Sequence, residues 1–286
     1  MSGVACQTVM VKKVIYITSL AHSGSTLLNL LLGANEDTVA VGEVSQTLKA
    51  LYKKNRFTRK CSCGQLIPDC PLWGNVYNRM LGTGSLSYGE QFQIMLEEIN
   101  RFYGENIAVI ESSKAIDPLM KVNARHASKL STIYLIRDVR GYVYAAYARQ
   151  SGSRATAKFA AVEAFRWFRE NRAIKIRLNA AGIPFFQLGY EELCSQPAKM
   201  FNALTEFTGV YFDPGIPKPS LVNSHIWIGN RMRNNKQKMS GIHYDDSWAR
   251  DEWFKRQRWV MWPYLGWNKK NVYINRLGAL SAPVRR

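Results

Sequence analysis

Residues 14–33 read VIYITSLAHSGSTLLNLLLG, and this stretch decides the fold. Val14, Ile15, Tyr16 and Ile17 form an apolar, largely β-branched run of the kind buried on both faces of a parallel sheet. Leu27, Leu28, Leu30, Leu31 and Leu32 then supply the apolar face of a helix. Between them lies a turn of small residues, Ser23, Gly24, Ser25 and Thr26. Strand, short turn and helix make a phosphate-binding arrangement, because the free N–H groups at the helix start and the positive end of its dipole face whatever sits over the turn. The same residues also suit an ordinary strand-to-helix turn in which Ser and Thr only cap the helix.

Outward from this stretch, apolar strands alternate with helices. A second strand is expected over residues 38–44 (TVAVGEV), carrying Glu43 near its end, and a third over 107–110, followed by Glu111, Ser112, Ser113 and Lys114. A fourth covers 131–136 and runs into Arg137, Asp138, Val139 and Arg140; a fifth covers 184–188. Helices are expected over 141–149, about 155–179 and 197–208, the last with Pro197 at its start and Gly209 as its stop. The alternation implies an α/β fold with a central parallel sheet flanked by helices. In such sheets the carboxyl ends of the strands line the ligand crevice, which places Glu43, Lys114 and Arg137 in reach of the 23–26 turn. Residues 45–105 read as a helical excursion within one domain spanning 1–286, and residues 214–286 as a basic, aromatic tail.

Thirty-nine Lys and Arg against 21 Asp and Glu give a net charge of +18, so the surface attracts polyanions, acidic substrates or anionic membrane. Lys12 and Lys13 ahead of VIYITSLA resemble the opening of a secretory signal, but the run is short and leads into a polar loop and a second apolar helix. No run approaches the roughly 18 apolar residues of a membrane span, and a cytoplasmic protein is expected. Five cysteines, Cys6, Cys61, Cys63, Cys70 and Cys194, are an odd number that suits reduced thiols. The segment CSCGQLIPDC (61–70) places three sulfurs within ten residues, which suits zinc if a fourth ligand comes from elsewhere. It lacks the paired C-x-x-C spacing of common zinc sites and reads better as a Cys-rich turn in a surface excursion.

Among enzymes that bind phosphate with such a turn, a P-loop kinase acting on a small molecule is one candidate. Its G-x-x-x-x-G-K-S/T pattern is not met, since one Gly and no Lys occupy the turn, although the strand running into Glu111 resembles a Walker B strand. A second alternative is a basic nucleic-acid-binding protein, drawn from the charge and from Trp248, Trp253, Trp259, Trp262 and Trp267. Trp residues spaced through an apolar helix more often belong to a core.

AHSGSTLLNLLL (21–32) resembles the 5′-phosphosulfate loop of sulfotransferases that use 3′-phosphoadenosine 5′-phosphosulfate (PAPS). IRDVRGYVYAAYAR (136–149) is similar to their 3′-phosphate segment, GYEELCSQPAKMFNALTEFTGV (189–210) to their Y-E-D-L segment, and HIWIGNRMR (225–233) to the G-N-x-x-R turn of bacterial members. The resemblance implies a P-loop-like sulfotransferase fold and transfer of a sulfuryl group from PAPS to a hydroxyl acceptor, leaving 3′,5′-ADP, with no metal required. It implies that His22, Ser23, Gly24, Ser25, Thr26 and Leu27 hold the 5′ end of the donor, and that Arg137 and Arg149, with Arg231 or Arg233, hold the 3′-phosphate. Glu43, in VGEV, resembles the catalytic base of protein-tyrosine sulfotransferases, and Lys114 the family's lysine near the transferring group. Two positions depart from the pattern. His22 stands where the family has Lys or Arg, and Ala145 where it commonly has Ser. The acceptor, a small molecule, glycan, lipid or tyrosine, has no diagnostic motif; the basic surface favours an anionic one, and no specific nucleic acid is expected as partner.

Overall fold

The computed structural model describes residues 11–53, 57–149, 156–215, 218–229, 232 and 239–275. Five parallel strands, β1 (Lys13–Ser19), β2 (Thr38–Gly42), β3 (Ala108–Lys114), β4 (Leu130–Ile136) and β5 (Phe185–Gly189), pair in the order β2-β3-β1-β4-β5. The helices among the described residues are α1 (Ser25–Leu32), α2 (Val44–Tyr52), α3 (Trp73–Met80), α4 (Tyr88–Tyr103), α5 (Ile116–His126), α6 (Val139–Arg149), α7 (Ala157–Ala180), α8 (Tyr190–Ser195), α9 (Pro197–Thr208), α10 (Ser247–Arg250), α11 (Glu252–Gln257) and α12 (Trp262–Val272). No helix of the described residues is long and apolar enough to cross a membrane.

The two-residue period of the strands sorts their side chains onto opposite faces. Ile15 and Ile17 join Leu28 and Leu31 of α1, Leu193 of α8 and Phe201 of α9 in one core. Val14 and Tyr16 point the other way and join Val39, Val109 and Tyr134 with residues of α2 to α7 and α12. All of these central side chains are at most 1% exposed, and each contributes about 1.5–3 kcal/mol by leaving water. Helices therefore cover both faces, as the alternation predicts.

Two strands end differently from the sequence reading. β2 stops at Gly42, whose φ of 69° turns the chain, and Val44 already belongs to α2, so Glu43 sits at the junction. β3 continues through Glu111, Ser112 and Ser113 to Lys114, and its register slips against both β1 and β2 near that end. Such a bulge re-aims the residues that follow it. Here it carries Lys114 to the carboxyl edge of the sheet, where the Thr18 hydroxyl donates to the Lys114 carbonyl at 2.7 Å.

The tail returns to the sheet. The Ala40 N–H donates to the Asn223 carbonyl at 2.9 Å and the His225 N–H to the Ala40 carbonyl at 2.8 Å, so a short piece of tail runs parallel to the open edge of β2. Of the tail tryptophans, Trp248 is buried and Trp267 packs edge-on against Trp167, while Trp253 stacks on Tyr147. Trp259 and Trp262 are exposed.

Candidate active site

The turn after β1 has the geometry of an anion cradle. Gly24 caps α1 with a φ of 90° and makes no side-chain capping bond, so Ser and Thr do not merely cap this helix. Leu28 is the first residue whose N–H reaches an intrahelical acceptor, the Gly24 carbonyl at 3.0 Å, and the N–H groups of Ser25, Thr26 and Leu27 precede it. A Cβ at Gly24 would stand 2.5 Å from the Tyr190 ring, so both the backbone angle and the space require glycine. His22, next to the cradle, holds a φ of 66°, a left-handed conformation that a non-glycine residue adopts only under constraint.

The cradle opens into a cleft of about 640 Å³. His22, Gly24, Ser25, Thr26 and Leu27 line one wall, Lys114 and Arg137 stand at the ends of β3 and β4, and Tyr144 of α6 with residues 243–247 forms the opposite side. Ser23 is buried beneath the turn. Arg137 is only 6% exposed. Its Nη1 donates to the His22 carbonyl at 3.1 Å, its Nη2 to Asp245 Oδ2 at 3.1 Å, and its guanidinium lies 4.7 Å above the centre of the Tyr190 ring. Its Nε is buried without a partner. A Cβ at Gly141 would stand 2.7 Å from that Nε, so this glycine leaves room for the guanidinium.

Neighbouring residues fix the loop that presents Arg137. Glu191 accepts the Asp138 N–H with both carboxylate oxygens at 3.1 Å, and Asn268 accepts the Val139 N–H at 2.9 Å. Arg140 binds Asp138 through Nε and Nη2 and lies over Trp248, so this second arginine is committed to the scaffold. Arg149 is exposed at the end of α6; it does not line the cleft, but its charge acts on His22. Arg231 and Arg233 lie outside the described residues.

Glu43 pairs with Lys114 across the gap between β2 and β3, with both side chains about one-fifth exposed. Lys114, like His22, has a positive φ, 69°. Burial, followed by the charges of Arg149, Lys114 and Arg137, holds the His22 imidazole below its usual pKa and keeps the ring neutral at pH 7. Glu111 lies beneath this pair, fully buried. Its Oε1 accepts the Ser113 N–H at 2.8 Å, and it does not line the cleft.

Burial pushes the Glu111 carboxyl up to about 8. Between the ordinary carboxyl range and that value the folded chain binds more protons than the unfolded one, so this residue makes stability fall as pH rises, by up to about 1.4 kcal/mol per pH unit. Glu111→Gln removes the effect. The melting temperature of the variant minus that of the parent is expected to increase steadily from pH 5 to pH 8; a constant difference would mean that Glu111 titrates normally.

Sequence reading singles out the cradle, Glu43, Lys114 and Arg137; the cradle, Lys114 and Arg137 line one cleft, while Glu43 is outside its lining and reaches it through its pair with Lys114. That reading gives no role to Tyr190, whose ring supports Arg137 and abuts Gly24, nor to Asp245, which neutralises Arg137. Tyr190 lies in the recognisable GYEEL segment, whereas Asp245 is 108 residues from its partner and carries no local signal. The cysteines of CSCGQLIPDC do not line this cleft, and Cys61 and Cys70 are buried rather than part of a surface turn.

No curated protein matches the chain. Among solved structures it is similar to the sulfotransferase domain of the Synechococcus PCC 7002 olefin synthase, with 16% identity over 90% of this chain and 95% of that one and a TM-score of 0.51. It is also similar to the sulfotransferase domain of the curacin biosynthetic pathway, with 19% identity over 86% and 89% of the two chains and a TM-score of 0.49. The sequence profile of the sulfotransferase family matches residues 15–214, which contain the anion cradle, Glu43, Lys114 and Arg137. The chain belongs to the sulfotransferase family.

Proposed function

We propose that this protein transfers a sulfuryl group from PAPS to a hydroxyl acceptor. The observation that carries the reading is one cleft lined by two anion-binding elements, the amide-lined cradle at Gly24–Leu27 and the guanidinium of Arg137 at the end of β4. A donor with phosphate groups on both its 5′ and 3′ oxygens matches two such elements. Two or three charge-assisted hydrogen bonds from a guanidinium suit a phosphate dianion, and Arg149, whose charge reaches His22, adds positive potential to the cleft. The family assignment and the position of the cradle in it support the same reading.

In this mechanism Glu43 takes the proton of the acceptor hydroxyl as the acceptor oxygen forms its bond to sulfur. The bond between sulfur and the bridging oxygen breaks, and 3′,5′-ADP leaves with the electron pair. Catalysis is mostly positioning and charge stabilisation, as in phosphoryl transfer. The cradle N–H groups and Lys114 stabilise the equatorial sulfuryl oxygens, and His22 donates to the departing 5′-phosphate. Burial and then neighbouring cations lower the His22 pKa in the free protein, and a bound dianion offsets the second of these. The chemistry needs no metal. Lys114 lines the cleft and also pairs with the Glu43 carboxylate, so it is Lys114 that links the proposed base to the cleft.

The whole chain forms one working unit in this proposal. In support, residues 243–247, beyond the family match, supply a wall of the cleft that α1 opens. The net charge of +18 supports an anionic acceptor.

Thermal shift with four nucleotides tests the donor. A ligand that binds only the folded state raises the melting temperature in proportion to the logarithm of its concentration over Kd. At equal concentration, 3′,5′-ADP is expected to stabilise the protein more than 5′-AMP, ADP or ATP. Larger stabilisation by ATP with magnesium would support a kinase instead.

A further inference from the structure

The segment CSCGQLIPDC folds around its own turn before it meets the tail. Lys60 and Leu66 form an antiparallel bridge, the Cys61 N–H donates to the Gln65 carbonyl at 2.8 Å, and the Gly64 N–H donates to the Cys61 carbonyl at 2.9 Å. Gly64 permits this tight turn with a φ of 89°. Cys70 lies just before α3, where the Trp73 N–H points at its sulfur from 3.4 Å. Ser62 ties this excursion to the tail: its N–H donates to the Ile226 carbonyl at 3.0 Å and its Oγ accepts the Ile226 N–H at 2.7 Å. Held between these bonds, His225 turns its ring toward the three sulfurs. Its carbonyl accepts Trp73 Nε1 at 2.6 Å, and Phe102 and Tyr103 flank the imidazole edge-on.

We propose that Cys61, Cys63, Cys70 and His225 form a structural zinc site. Their four ligand atoms all lie within 4.8 Å of one another. His225 Nδ1 is 3.3 Å from Cys70 Sγ and 3.9 Å from Cys61 Sγ, and Cys63 Sγ is 3.7 Å from Cys70 Sγ. A tetrahedral zinc with ordinary Zn–S and Zn–N bonds separates its ligand atoms by about 3.5–3.8 Å, and the three spacings scatter around that range by a few tenths of an ångström, which small side-chain rotations would close. Three thiolates and one imidazole are soft donors that select zinc over magnesium or calcium. Cys61, Cys70 and His225 are nearly inaccessible, and four protein ligands leave no open position, which makes the site structural.

The metal would fasten chain segments 155 residues apart. It is also linked to the Gly42–Glu43 junction. Ile226, next to His225, packs so closely on Gly42 that a Cβ there would stand 2.7 Å from its Cγ2, and the Ile228 carbonyl accepts the Glu43 N–H at 3.4 Å. Each thiol that binds zinc gives up its proton, so the site loads less well as pH falls.

Metal analysis of the full-length protein, purified under reducing conditions without chelator, is expected to find about one zinc per chain. Cobalt(II) added to the depleted protein is expected to give the intense visible absorption of tetrahedral thiolate coordination. Cys63 is the exposed ligand, so Cys63→Ser leaves the core filled; it should weaken zinc binding on the order of 100-fold in competition with a chromophoric chelator, and His225→Asn should do the same. Both variants should melt at a lower temperature than the zinc-loaded parent. Three results would each overturn the proposal: protein that carries no zinc and gives no cobalt spectrum, Cys63 and Cys70 joined as a disulfide under those conditions, or a folded Cys63→Ser variant that holds zinc as tightly as the parent.

Discussion

Glu43→Gln is expected to lower sulfuryl transfer by about 10²–10⁴-fold, the usual contribution of a positioned general base, while the affinity for 3′,5′-ADP stays unchanged. Glutamine keeps the length and hydrogen-bonding reach of the side chain but cannot accept the acceptor's proton. The substitution leaves the cradle alone, because Gly24–Leu27 are built on β1 and α1 and Glu43 lies beyond β2. Lys114 loses its ionic partner, yet its backbone is still held by Thr18. Turnover assays and calorimetric binding on the same preparation separate the two effects. Retained turnover would place the base elsewhere. Glu111 would be a poor replacement, since it is fully buried, holds the Ser113 N–H and stays protonated up to about pH 8.

Arg137→Ala is expected to weaken binding of 3′,5′-ADP by about 10–100-fold, the range for losing one or two hydrogen bonds to a charged group in a sheltered site. Binding of 5′-AMP, which lacks the second phosphate, should change less, by what the cradle loses with the Arg137–His22 carbonyl bond. Arg137→Lys keeps the charge without the planar fork and should fall between the two. The free protein already satisfies part of this guanidinium with Asp245, which is itself nearly half exposed, so ligand binding exchanges one anion for another. Isothermal titration of both nucleotides measures the difference directly. An equal loss for the two would assign Arg137 to the cradle and leave the second phosphate unaccounted for.

Most of the fold is legible in the sequence because its signals are local. An apolar run with β-branched residues marks each strand, Pro197 and Gly209 bracket α9, and the small residues at 23–26 can hardly be read except as a tight turn. The site is less legible where it depends on contacts between distant residues. Nothing near Arg137 announces that Tyr190 will lie under it, or that Asp245 will pair with it. The bulge at the end of β3 is also hidden, since ESSK looks like a loop but continues as strand to Lys114. The cysteine segment shows the same limit most clearly. Its spacing alone argues against a metal, and the missing fourth group stands in the tail, brought back only when residues 223–225 join the sheet edge.

β1 is paired on both sides along its length, and the cradle hangs directly from it; β2, which carries Glu43, has a full strand on one side and only a short strip of returning chain on the other. The two halves of the cleft thus differ in how freely they can be rebuilt. The half anchored at the middle of the sheet tolerates little alteration without unseating its neighbours, whereas the half at the margin has a strand on one side only and fewer neighbours to unseat. If the proposed function holds, such a scaffold leaves more room to change the acceptor side than the donor side.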